Sequence, residues 1–223
     1  MAAESLRAAP RYTAAEELAN SVTHAVGIVL SIAGLAVMSA FAALRGDAWH
    51  LVACSIFGSA LILNYTASTL YHSIQTEHLK GALRALDHSA IFLLIAGTYT
   101  PFMLVNLRGP WGWSLLAGVW TIALLGISLR LLLKGRLHGL VVGLYIAMGW
   151  AVVIAVKPML AHVETGGLIL LACGGLAYTV GVIFYKYKRL PYHHAIWHLF
   201  VLAGSALHFF AVLFYVIPWP VAP

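Results

Sequence analysis

Long apolar runs alternate with short polar breaks along the whole chain. A window of about 19 residues finds apolar runs near 20–44, 49–73, 87–107, 111–133, 139–156, 166–185 and 195–217. Each is long enough to cross about 30 Å of hydrocarbon as a helix. The breaks carry helix-stopping residues: Arg45-Gly46-Asp47, Arg108-Gly109-Pro110, Lys134-Gly135-Arg136, Lys157-Pro158 and Arg189-Leu190-Pro191. The pattern predicts an all-α integral membrane protein, a seven-transmembrane helix bundle over 17–223 behind a polar tail over 1–16. No loop is long enough for a second domain, and no internal repeat of the transporter kind is visible. The first run is too long for a signal-peptide core and no small-residue cleavage motif follows it, so the N-terminus is expected to stay.

Composition agrees: 62% of the 223 residues are hydrophobic and 9% charged, whereas a soluble domain has about a quarter charged. The net charge of +6 does not indicate nucleic acid, because the 13 Lys and Arg lie in short loops, where they set topology and meet anionic lipid. Ten of them, Arg7, Arg11, Lys80, Arg84, Arg130, Lys134, Arg136, Lys186, Lys188 and Arg189, fall on one side, against Arg45, Arg108 and Lys157 on the other. The positive-inside rule therefore puts the N-terminus in the cytoplasm and the C-terminus outside. Trp49, Trp111, Trp113 and Trp219 then form an outer aromatic belt. This orientation is opposite to that of G-protein-coupled receptors and rhodopsins, and the last helix lacks a retinal lysine. Cys54 and Cys173, in apolar runs without CxxC spacing, carry no redox or zinc-finger signal.

With direction set, depth follows at about 1.5 Å per residue. Ser68 and His72 lie 19 and 23 residues from Trp49, Asp87 lies 20 from Leu107, and His198 lies 20 from Pro218. All fall about 28–34 Å from the outer boundary, with His194 one turn nearer the cytoplasm. The spacing of four stacks Ser68 on His72, and His194 on His198, along single helix faces. His194 is preferred to His193 only because it shares the face of His198. Three imidazoles plus a water make a catalytic zinc site with an open position, so His72, His194 and His198 are the expected Zn2+ ligands. Asp87 and Ser68 are the expected catalytic partners, the carboxylate to take a proton from water and the hydroxyl to hold water or carboxylate. Zinc lowers the pKa of its water toward about 7 and offsets the cost of an ionised Asp87 at the membrane edge. The competing expectation is helix-to-helix hydrogen bonding by these polar groups without any metal.

Glu17-Leu-Ala-Asn20-Ser-Val-Thr-His24, Ser68-Thr-Leu-Tyr-His72, the run from Leu86-Asp87-His88 to Thr100-Pro101, and His194-Ala-Ile-Trp-His198 with His208-Phe209 beyond together resemble the hemolysin III family of bacterial membrane proteins. That family is grouped with the progestin and adipoQ receptors and, more distantly, with alkaline ceramidases. The resemblance spans nearly the whole chain. It implies the same three zinc ligands, the same Asp87 and Ser68 beside them, a seven-helix bundle and a bacterial inner membrane location. Hormone signalling of the adiponectin type is not implied, since only a short tail precedes the bundle, and a bundle without charged pore-lining faces gives lysis little support.

Two functions are carried forward. One is a zinc-dependent intramembrane hydrolase cutting an amide or ester bond of a lipid substrate, with a role in membrane lipid homeostasis. The other is a non-enzymatic membrane sensor with a structural zinc site, favoured if Asp87 itself ligates the metal. Membrane lipids are the expected partners. Elsewhere, His24 is expected to pack helices or support the site, and His208, about 15 Å beyond His198, to bond another helix. His88 is expected to make a neighbour contact, and His50, His78, His138 and His162 to be solvated. Tyr99 and Pro101 are expected to kink the third helix and open a cavity.

Overall fold

The computed structural model describes residues 12–132 and 138–218. Among them, seven helices are long and apolar enough to cross a membrane, and every regular element is helical. They are α1 (Ala14–Arg45), α2 (Ala48–Ser73), α3 (Glu77–Pro101) with a π turn at Phe102–Asn106, α4 (Pro110–Leu132), α5 (His138–Gly149) joined through a 3-10 turn at Ala151–Ala155 to α6 (Val156–His162), α7 (Thr165–Lys186) and α8 (His193–Tyr215). Arg7, Arg11, Lys134, Arg136 and Trp219 lie outside the described residues, as does the His138 side chain.

Two boundaries differ from expectation for one reason: amphipathic helix starts escape an apolar window. α1 begins at Ala14 behind a Thr13–Glu16 capping box, so His24 sits ten residues inside the helix and not at its start. α3 begins at Glu77, ten residues before the third apolar run. The fifth span is longer than 139–156 and is broken: α5 stops at Gly149, a 3-10 turn covers Ala151–Ala155, and the α-helix resumes at Val156. Tyr99 of α3 supports the break, its hydroxyl donating to Met148 O at 2.7 Å and accepting from Val152 N at 2.9 Å. A break in hydrocarbon stands only where neighbours satisfy the freed backbone. Thus Tyr99 acts on the fifth span, while Pro101 closes α3 ahead of its π turn.

α3 is the most buried span. α8, α1, α2, α3 and α4 pack in sequence, α7 packs on α8, and α5 and α7 barely touch. The gap between those two is where a cavity forms. Outward faces remain apolar, with Val29 68% and Leu125 64% exposed, as lipid contact requires. At the end away from the N-terminus Trp49 and Trp113 meet edge to face at 5.6 Å, with Trp111 exposed beside them. His50 departs from expectation: its ring bonds the Asp47 carboxylate at 2.7 Å in a capping box.

Close packing in the bundle depends on small residues. A Cβ at Gly97 of α3 would lie 2.6 Å from the Ala60 Cβ of α2, an atom that cannot swing away. Gly97→Ala is expected to cost about 1–3 kcal/mol and to lower the melting temperature in detergent. Gly118→Ala, where nothing stands within 4 Å, should leave it unchanged.

Candidate metal centre

At the N-terminal end of the bundle α2 ends and α8 begins, and their histidines meet. His72, His194 and His198 are all buried and each offers a nitrogen, the three lying within 4.8 Å of one another. Ring centroids are 5.0 Å apart for His72–His194, 5.2 Å for His72–His198 and 4.6 Å for His194–His198. Of the two adjacent histidines His194 joins the group, while His193 turns aside to Phe184 O at 3.2 Å.

The tautomers are set by α1. His72 Nδ1 lies 2.6 Å from Glu17 Oε2 and His198 Nδ1 lies 3.1 Å from Asn20 O. A carboxylate and a carbonyl only accept, so both Nδ1 atoms carry the proton and both Nε2 atoms keep a lone pair. Thr23 Oγ1, 3.2 Å from His198 Nδ1, gives that ring a second acceptor. His72 Nε2 and His194 Nδ1 are buried without any hydrogen-bond partner. Buried polar nitrogens normally have partners, so unpartnered nitrogens in a trio whose ligand atoms lie within 4.8 Å of one another fit a cation. Lys80 closes the outer ring: its ammonium reaches Glu17 Oε1 at 3.4 Å and donates to Tyr71 O and Ile74 O, carbonyls left open where α2 ends.

The start of α8 is held in place as well. Tyr192 adopts φ +55°, the left-handed region that disfavours a bulky side chain, and its N–H donates to Glu16 Oε1 at 3.1 Å. Tyr12 lies over the trio, its ring 5.2 Å from that of His194 and 6.0 Å from that of His72. Burial pushes the Tyr12 phenol above its ordinary pKa, so it stays neutral. Hydropathy and spacing alone do not single out Glu17, Asn20, Thr23, Lys80 or Tyr12. The signal for Glu17 was an acid on an apolar helix in register with Asn20, but its partner is 55 residues away.

Asp87 and Ser68 line a cavity with His24, His194 and His198. Asp87 stands outside the set of three ligand atoms, with 13% of its side chain exposed. Ser68 Oγ is buried, makes no hydrogen bond within 3.5 Å and has the Asp87 carboxylate as its polar neighbour. His24 stacks on His198 at 3.5 Å between centroids, and neither of its ring nitrogens has a partner. His88 bonds Arg84 O at 2.8 Å. The cavity, about 140 Å³, runs from this polar end between α3, α5, α7 and α8 along Leu94, Ile95, Ile146, Val182 and Val201 to His208 and Trp150. A second, equally apolar cavity continues from there toward Met159 and Leu160.

The family model described as Haemolysin-III related matches residues 12–209. The chain is 49% identical over 209 residues to a hemolysin-3 homolog of Bacillus subtilis (strain 168), covering 94% of this chain and 98% of that one. It is 48% identical over 203 residues to hemolysin-3 of Bacillus cereus, covering 91% and 93%. It is also similar to the human monocyte to macrophage differentiation factor, 32% identical over 208 residues, covering 90% and 84%. Seven apolar helices and these relatives make the chain a multi-pass membrane protein of the haemolysin-III-related family.

Proposed function

We propose that the chain is a zinc-dependent intramembrane hydrolase that cleaves an amide or ester bond of a membrane lipid at the inner face of a bacterial inner membrane, with a role in membrane lipid homeostasis. The observation that carries this reading is the ligand set itself: three converging imidazole nitrogens, no fourth protein ligand among the described residues, and an apolar cavity beginning beside them. Closed structural zinc sites use four protein ligands, and catalytic ones use three with an open position. The position of Asp87 outside the trio therefore favours hydrolysis over a structural site.

A bound zinc supplies Lewis acidity and lowers the pKa of its water toward about 7. Glu17 and the Asn20 carbonyl keep His72 and His198 in the ligating tautomer and fix their rings. In this reading Asp87 takes the proton of the attacking water and returns it to the departing amine or alcohol. Ser68 Oγ holds that water against the carboxylate. Leu94, Ile95 and Ile146 receive the acyl chain and exclude bulk water. The excess of Lys and Arg on the N-terminal side supports a cytoplasmic site, where a lipid with its head at the inner interface presents the scissile bond.

Purified wild-type protein is expected to hold one zinc per chain. His194→Ala should lose it, whereas Asp87→Ala should keep it and lose lipid turnover, read by metal analysis and by lipidomics of cells carrying each variant. Equal zinc in wild type and His194→Ala would reject the ligand assignment. Glu17→Gln is expected to weaken zinc binding about 10- to 100-fold in a chelator competition, and unchanged affinity would separate Glu17 from the site. A phosphatase reporter fused after Pro218 should be active, because that enzyme folds only outside the cytoplasm, and an inactive fusion of a stably expressed chain would reverse the assigned orientation.

A further inference from the structure

The cavity has a second polar end. His208 lies ten residues beyond His198 on α8, about 15 Å further along the helix, and is 7% exposed. Its Nε2 lies 3.2 Å from Leu171 O. A carbonyl only accepts, so Nε2 carries the proton and Nδ1 is left as a lone pair. That Nδ1 is buried and has no partner.

Packing fixes which edge of the ring meets α7. A Cβ at Gly174 of α7 would come within 2.5 Å of both Cδ2 and Nε2 of His208, so this edge fills the glycine notch. Nδ1 lies on the other edge of the ring, and the His208 side chain lines both cavities. Neighbouring hydroxyls bond elsewhere and none reaches His208 Nδ1: Tyr65 donates to Ser205 at 2.7 Å, Tyr178 and Ser205 share a bond of 2.9 Å, Thr98 donates to Leu94 O at 2.8 Å and Thr179 to Gly175 O at 2.7 Å. Of the cavity-lining side chains with an orphaned buried atom, His24, Ser68 and His194 stand at the ligand end and His208 alone at the other, among the described residues.

We propose that His208 Nδ1 recognises a hydrogen-bond donor carried part-way along a lipid chain, so that the cavity selects a hydroxylated acyl chain. This rests on the reading of the cavity as a lipid site and adds the chemistry of its occupant. The orphaned atom is an acceptor, so an ester or keto oxygen on the chain would not satisfy it, whereas an O–H would. An unsubstituted chain leaves the acceptor unmatched, and a buried unmatched polar atom discriminates strongly between otherwise similar ligands. The apolar walls between the two polar ends suit the intervening methylenes.

The test is equilibrium displacement of a fluorescent fatty acid from the full-length, metal-loaded protein in nanodiscs. Three competitors are used: stearate, stearate hydroxylated about two-thirds of the way along, and stearate hydroxylated next to the carboxylate. The distal hydroxyl should bind about tenfold tighter than stearate, and the proximal one should gain nothing. His208→Leu should bind stearate as wild type does and lose the preference. Equal binding of all three by wild type, or a preference that survives in His208→Leu, overturns the role of His208 and leaves the lipid cavity standing. No binding of any of the three removes the lipid reading and this inference with it.

Discussion

Unmatched imidazole lone pairs in a space closed to bulk water are the constraint on which the rest depends. Hydrocarbon and packed helices offer a buried nitrogen no solvent, so each must find a partner inside the protein or in something the protein binds. α1 supplies half of the answer by taking the Nδ1 protons of His72 and His198 on the Glu17 carboxylate and the Asn20 carbonyl. What remains is a set of nitrogens with nowhere to point except at one another. A cation held there would resolve that repulsion, and it would give the acid and the lysine at this end of the bundle a purpose.

The bundle is built to hold this arrangement at one end and to leave space beside it. Small residues let α2 and α3 close against each other, while the weak contact of α5 with α7 leaves a cavity open between them. The broken fifth span is part of that design. Its freed backbone groups are taken up by Tyr99, a residue that also lines the cavity, so the break is stabilised from the side that needs the room.

Much of this was legible in the chain, and for physical reasons. Apolar runs of membrane length fix the number of helices, and four-residue spacing puts Ser68 with His72 and His194 with His198 on common faces. Counting from the outer ends brought three helices to one depth. What was hidden required partners distant in sequence or signals weaker than hydropathy. Glu17 reads as an ordinary first-turn acid until α2 is folded against it, and Tyr12 reads as tail until it covers the trio. The early start of α3 was masked by Lys80 and Arg84 on its polar turns. The break after Gly149 falls in an unbroken apolar run, and only the Tyr99 hydroxyl from another helix reveals why it is tolerated.

Zinc-edge X-ray absorption of the purified protein bears most directly on the central claim, because it reports which atoms surround the ion. The expected shell is three imidazole nitrogens at about 2.0–2.1 Å and one further oxygen, with one imidazole lost in His72→Ala. A shell of carboxylate oxygens or sulfur, or a spectrum unchanged by removing His72, would contradict it.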